Sequence, residues 1–391
     1  MNRHLKKSIV FVAVALALLA PSLSHAQEGA VMQDAIETVK ARVEKVVSER
    51  TEQIPAAETS HTIQTIEARV LEGGIAGRTV TLDNDLVPFK AGDLFYLKRI
   101  VPWEGGTELY SVAEPYRLPS LLFLCGLFVV LAIVFGGKQG ARGLLSLGGS
   151  LLLIAFVLLP AMAKGYSPVW VSIAVSSLIV VIGSYLTHGV SKATSAAVIG
   201  MVATVLLTGF FAAYSIHLTG LTGYESDEAA YLSLNTHGAI DLPGLLLGGI
   251  LIGVLGVMYD AAIGQAVAVE ELARVAPHLP RRTIYARALR IGREHIGALV
   301  NTLAIAYVGA SLPLLLLFYL SPSESMLVSL NREIFSAEIV RTMVGSIGLV
   351  LAVPATTAIA VWMLIKRSAG AADAQTIEEE REAIRHAGHH H

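Results

Sequence analysis

Asp260 stands in a run of apolar and glycine residues, Leu242 to Ile263, that contains no other charge. On insertion scales a carboxylate at the centre of a membrane helix costs about 2.5–3.5 kcal/mol, so a carboxylate kept there points to ion coupling or substrate contact. Asp260 lies near one end of its run, where water or an arginine of the following segment could satisfy it instead. Further along come Arg287, Arg290, Arg293 and Glu294 at roughly helical spacing, then His295, then Asn301 and Thr302 inside the next apolar run. Asp260, Arg293, Asn301 and Thr302 are therefore the candidates for one substrate-binding or ion-coupling site. The competing readings are headgroup contacts for the arginines and cross-helix hydrogen bonds for Asn301 and Thr302.

The run that carries Asp260 also places Gly244, Gly248, Gly249, Gly253 and Gly256 along one helix. Gly244 with Gly248, and Gly249 with Gly253, are small-xxx-small pairs, which let helix backbones approach closely in lipid. Tight packing is the first expectation for all five; a helix able to slide or break is the alternative. Pro313 and Pro354 interrupt later apolar runs and predict bent helices.

The elements that must position these residues are membrane spans. A spanning helix needs about 20 mainly apolar residues. Apolar runs near 119–136, 143–162, 168–187, 194–216, 242–263, 297–319 and 338–365 predict a polytopic α-helical membrane protein. Of the 391 residues 54% are hydrophobic and 15% charged, and the net charge of −2 comes with no basic face that would suit nucleic acid. Lys138, Arg142, Lys192, the arginines at 274–293, and Lys366 with Arg367 fall in alternate loops. Cytoplasmic loops carry the excess of Lys and Arg, so the N-terminal domain is expected outside a bacterial cytoplasmic membrane and the C-terminus inside. The single cysteine, Cys125, falls within the first run and suits a small buried hydrophobe.

Before the spans, residues 1–26 read as a signal peptide or an uncleaved anchor: a basic start, an apolar stretch over 8–20, and Ser24-His25-Ala26 as cleavage site. Val31, Ile36, Val39, Val43, Val46 and Val47 predict an amphipathic helix over about 30–53. Thr62 to Leu71, Arg78 to Leu82, Leu94 to Ile100 and Glu108 to Ala113 predict strands of a small β-barrel, OB-like, serving as a ligand site or an interaction platform. Residues 367–391 form a charged tail containing Glu378, Glu379, Glu380, Arg381 and Glu382, in which a short helix is expected; its terminal histidines read as weak metal ligands or part of an expression tag.

The stretches GVLGVMYDAAIGQAVAVEEL, ALRIGREHIGALVNTLAIAYVGASLPLLLLF and EIVRTMVGSIGLVLAVP, in that order, resemble the YibE/F-like family of bacterial membrane proteins. Asp260, Gly292, Arg293, Asn301, Thr302, Gly309 and Pro313 match the family pattern. Gly264, Gln265 and Val267 depart from it where the family carries small hydroxyl residues, and Tyr259 replaces a Met. The resemblance implies a multi-spanning membrane protein and supplies no substrate.

Transport is the leading functional expectation, and a non-transporting scaffold or assembly factor is the alternative. No phosphate-binding G-x-x-x-x-G-K-[ST] loop occurs, so energy would come from an ion gradient or a partner. No H-E-x-x-H, G-x-S-x-G or G-x-G-D motif occurs, and Arg293-Glu294-His295 lacks the spacing for two metal ligands on one face. No enzyme activity, cofactor or metal centre is therefore assigned. The expected partners are anionic lipid headgroups at the arginines of 274–293, and a second copy or another membrane protein.

Overall fold

The structure is a computed structural model that describes residues 34–54, 59–103, 105–320 and 325–365. The expected signal peptide, the charged tail and its terminal histidines lie outside the described residues. The chain divides into two compact units with their boundary at Val134 and Phe135.

The first unit holds five antiparallel strands: β1 Ala35–Ile54, β2 Thr59–Val70, β3 Thr79–Asn84, β4 Leu94–Val101 and β5 Leu109–Pro115. Their order in the sheet is β3-β2-β1-β4-β5, and the two edge strands, β3 and β5, lie against each other. The expected helix over 30–53 is corrected here: its described part is the longest strand. The inward residues of β1 are Val39, Ala41, Val43 and Val46, and a bulge between Val43 and Lys45 turns one step of two into a step of three. That slip imitates helical spacing. Pairing with β2 on one side and β4 on the other decides the matter, since tertiary pairing overrides local periodicity. The core is Val39, Ala41, Ile66, Ala68, Val80, Leu82, Phe95 and Leu97. At the β4–β5 edge Arg99 donates to Glu108 at 2.5 Å and to Glu37 at 3.0 Å, and Tyr110 donates to Glu108. The hydrogen bonds from Arg99 and then Tyr110 hold the Glu108 carboxyl down at about 2.

The helices are α1 Leu118–Leu153, α2 Leu159–Ala163, α3 Pro168–His188, α4 Lys192–Thr219, α5 Asp227–Asn235, α6 Leu242–Val275, α7 Arg281–Ala310, α8 Leu312–Leu320, α9 Met326–Leu330 and α10 Glu333–Leu364. A π-turn, Ile154–Leu158, joins α1 to α2. Five helical stretches are long and apolar enough to cross a membrane, or six if α7 and α8, bent by 64° at their junction, count as one. The two expected runs at 119–136 and 143–162 form one continuous stretch of 46 residues, broken in backbone angle at Gly137 (φ 54°, ψ −137°) with no loop between them. The expected loop at 264–296 shrinks to residues 276–280, because α6 runs on to Val275 and α7 starts at Arg281. Cys125 is exposed on α1 rather than buried.

In the second unit α10 packs on α4, α6 and α7, while α6 packs on α3, α4, α7 and α10. Side-chain caps start three of these elements: Ser191 for α4, Ser226 for α5 and Asp241 for α6, each accepting from a backbone N–H three residues on. The helices meet through a repeated contact in which a glycine leaves room for a hydroxyl of its neighbour. Ser172 fills the place of a side chain at Gly248, Thr356 at Gly200 and Thr208 at Gly348.

Candidate functional site

The five expected packing glycines of α6 divide into two groups. Gly244 and Gly248 are buried: a side chain at Gly244 would strike Asp241 and Pro168, and one at Gly248 would strike Ser172 and Met162. Gly249 and Gly256 are exposed, and a side chain on either would meet nothing within 4 Å. The packing expectation is therefore corrected for these two. Gly253 is also exposed, with the Tyr307 hydroxyl 2.5 Å from the position of a side chain there. At about 100° per residue, Gly249, Gly253, Gly256, Asp260 and Gly264 fall on one narrow stripe. The exposed face of α6 thus carries a stripe of glycines, open at Gly249, Gly256 and Gly264, with Asp260 the one charge in it.

Asp260 makes no hydrogen bond or ion pair among the described residues. It lies close enough to His188, the last residue of α3, for their charges to interact. The His188 and Tyr259 rings stand 6.0 Å apart at 36°. Ser184 and Thr187 neighbour the Tyr259 hydroxyl, yet that hydroxyl and the Ser184 hydroxyl are both buried without a hydrogen-bond partner. The neighbourhood offers a carboxylate, an imidazole and a phenol beside a stripe of exposed glycines, a set able to take up or release a proton or to hold a cation.

Arg293, Asn301 and Thr302 are not brought to Asp260. All three are exposed on α7, and Thr302 donates to the Ala298 carbonyl of its own helix at 2.9 Å. α7 meets its neighbours through Ile284, Ala288, Gly292 and Leu303, which turns the arginine-bearing face away from them. The arginines expected together at 274–293 also divide. Arg274 pairs with Glu271 at 2.5 Å, and Arg281 donates to the carbonyls of Ile365 at 2.9 Å and Trp362 at 3.1 Å, capping the end of α10.

Two polar centres, one buried and one half-buried, were not identified as sites from sequence. Gln265, one of the positions that depart from the family pattern, is 2% exposed and sits where α6, α7 and α10 converge. Its amide donates to the Ala288 carbonyl at 3.2 Å and to the Thr357 hydroxyl at 2.9 Å, and accepts from the Gly292 N–H at 3.3 Å. Gly292 has no room for a side chain because Gln265 and Val353 occupy it. A lone amide in an apolar run was the available signal, together with a glycine on the next helix.

The second centre lies toward the Leu242 end. Arg341 donates to Glu225 at 2.5 Å and also to Glu338. Glu333 accepts from the backbone N–H groups of Thr222, Gly223 and Tyr224 at 2.7, 2.6 and 3.1 Å, tying the α4–α5 segment to the start of α10. Burial pushes the Glu225 carboxyl up despite Arg341 beside it, and its second oxygen has no hydrogen-bond partner. No local pattern links residues 225 and 341, so only the fold reveals this cluster.

The family model described as YibE/F-like protein matches residues 124–366. That region holds α6, α7 and α10 with Asp260, Gln265 and Arg341. No curated protein and no solved structure matches the chain.

Proposed function

The chain belongs to the YibE/F-like family, and we propose that it is a membrane transporter or permease, driven by an ion gradient or by a partner, in which Asp260 contacts the substrate or couples the ion. One observation carries this reading: an unpaired carboxylate on an apolar helix, set in a stripe of exposed glycines beside His188 and Tyr259. A carboxylate is expensive there unless it has work to do. The half-buried ionic cluster of Glu225, Arg341 and Glu338 near the other end of α6 supports the reading, because both ends of the same helix then carry ionisable groups. Counting the 46-residue run as two spans divided at Gly137, and α7 with α8 as one bent span, brings the total to seven. With seven spans the β-domain lies outside the cytoplasmic membrane and the tail inside, as the placement of Lys and Arg favours. Labelling of Asp93→Cys by an impermeant maleimide in intact cells, in a Cys125→Ser background, checks this; label reaching it only after lysis reverses the topology.

The substrate is found by flux into proteoliposomes across a panel of ions, amino acids and peptides. Asp260→Asn is nearly isosteric and should keep its melting temperature while losing flux at least ~10-fold, equivalent to about 1.4 kcal/mol or more in the transport barrier. Asp260→Glu should retain part of the flux. Full flux by a folded Asp260→Asn protein removes the residue from the mechanism.

The scaffold reading has one observation in its favour. Ile36, Ile100 and Leu109 stand opposite one another across β1, β4 and β5, and Ile36, Leu109 and nearby Trp103 are more than half exposed. With the β3–β5 contact closing the sheet, the strand order supports an OB-like barrel, a fold that serves as a binding platform. Flux that is absent for every substrate, together with capture of a defined partner that is lost on Trp103→Ala, would favour this reading.

A further inference from the structure

Arg282, Arg287, Arg290 and Arg293 are exposed on α7, and none of them makes a hydrogen bond or ion pair among the described residues. At about 100° and 1.5 Å per residue they lie within an arc of about 140°, opposite Ile284, Ala288 and Gly292, and extend over about 16 Å of helix. Glu294 lies among them and leaves the face net positive. Arg281 points elsewhere, to the carbonyls of Ile365 and Trp362, and so holds Ile365, at the end of α10, beside the start of the row.

We propose that the acidic block Glu378–Glu382 of this chain's own tail docks along that row of arginines. The block holds four carboxylates, Glu378, Glu379, Glu380 and Glu382, and one cation, Arg381, and its net charge of about −3 complements the four guanidiniums of the row. The connection from Ile365 to Glu378 is twelve residues, which reaches up to about 40 Å when extended, more than twice the length of the row. Tethering at Ile365 places the block at an effective concentration in the ~mM range. The connection opens with Lys366 and Arg367, which repel the row and leave the acidic block as the complementary part. Anionic lipid headgroups offer similar chemistry, but an interfacial layer is only about 5–8 Å deep, so headgroups reach part of a 16 Å row while a peptide can follow all of it. The proposal is independent of the transport reading.

The test uses the full chain in lipid nanodiscs, with Cys125→Ser, Arg290→Cys and Glu380→Cys, and a bifunctional maleimide of about 10 Å reach. Mass spectrometry of the digested monomer reads the cross-link. The link is expected to form within one chain in neutral lipid. It should fall at least threefold in about 1 M salt, which screens exposed charge, and by a similar factor when Glu378, Glu379 and Glu382 are changed to Gln. Nanodiscs containing anionic lipid should leave the yield unchanged. Three results would each overturn the docking: a yield indifferent to the Gln changes, loss of the link in anionic nanodiscs (headgroups then hold the arginines), or links found only between chains (a second copy then covers the face). Size-exclusion profiles matching the parent protein confirm that each variant is folded.

Discussion

On the buried face of α6, Gly244 and Gly248 meet Asp241, Pro168 and Ser172 of neighbouring segments so closely that a side chain cannot be added. A third of a turn away, Gly249, Gly256 and Gly264 meet nothing within 4 Å, and they share their stripe with Asp260 and with Gly253, beside the Tyr307 hydroxyl. The same residue type thus does two different things on one helix. On the inner face its missing side chain is filled by another helix. On the outer face the missing side chain stays missing and leaves bare backbone beside a carboxylate. Small-residue spacing alone cannot separate the two, because both faces satisfy the small-xxx-small pattern.

Paired substitutions can break this comparison. Gly248→Leu should cost about 3 kcal/mol or prevent folding, since overpacking a closed contact forces neighbours out of place. Gly256→Leu should change stability by less than about 0.5 kcal/mol, because nothing is there to displace, yet it should cover the open stripe beside Asp260 and lower flux. Melting temperature in detergent and flux in proteoliposomes, measured on both variants, separate the faces. Equal melting temperatures would abolish the distinction.

A finer test stays within the buried face. Gln265→Leu removes the amide that ties α6 to α7 and α10, and should cost about 1–2 kcal/mol for the hydrogen bonds lost. Ser172→Ala removes a buried hydroxyl that has no hydrogen-bond partner, so it should be neutral or stabilising by up to about 0.5 kcal/mol. Thermal unfolding of the two variants checks the sign of each. A larger loss for Ser172→Ala than for Gln265→Leu would mean that the hydroxyl opposite Gly248, and not the amide, holds the helices together.

The apolar helices and most of the strands were legible because their signals are local. Thr62 to Leu71 and Leu94 to Ile100 alternate and end at turn residues, and they form β2 and β4. The failures have physical causes. The bulge in β1 hid its period of two. Gly137 bends the backbone without a loop, so charge counting divided what the structure joins. At the candidate site, Asp260 was found because a charge in an apolar run is conspicuous. The separation of Arg293 and Asn301 from it was not, since their chain positions are compatible with either face of α7. Gln265 is neutral and hydrogen-bonded on three sides, so its importance is visible only once Gly292 and Thr357 are in place.

The bend of 64° between α7 and α8 also bears on how such a chain reaches its membrane. α8 has nine apolar residues, about 13 Å of helix, too short to cross on its own. The first half of α7 carries arginines that would each add about 2.5–3.5 kcal/mol at the middle of a lipid-surrounded helix. Neither piece is a segment that insertion machinery would release into lipid by itself. The inner surface of α7 is completed by α6, made before it, and by α10, made after it. On that order of synthesis α7 is expected to wait beside α6 until α10 arrives, so that the last of the long apolar helices described is the one that closes the packing of those made before it.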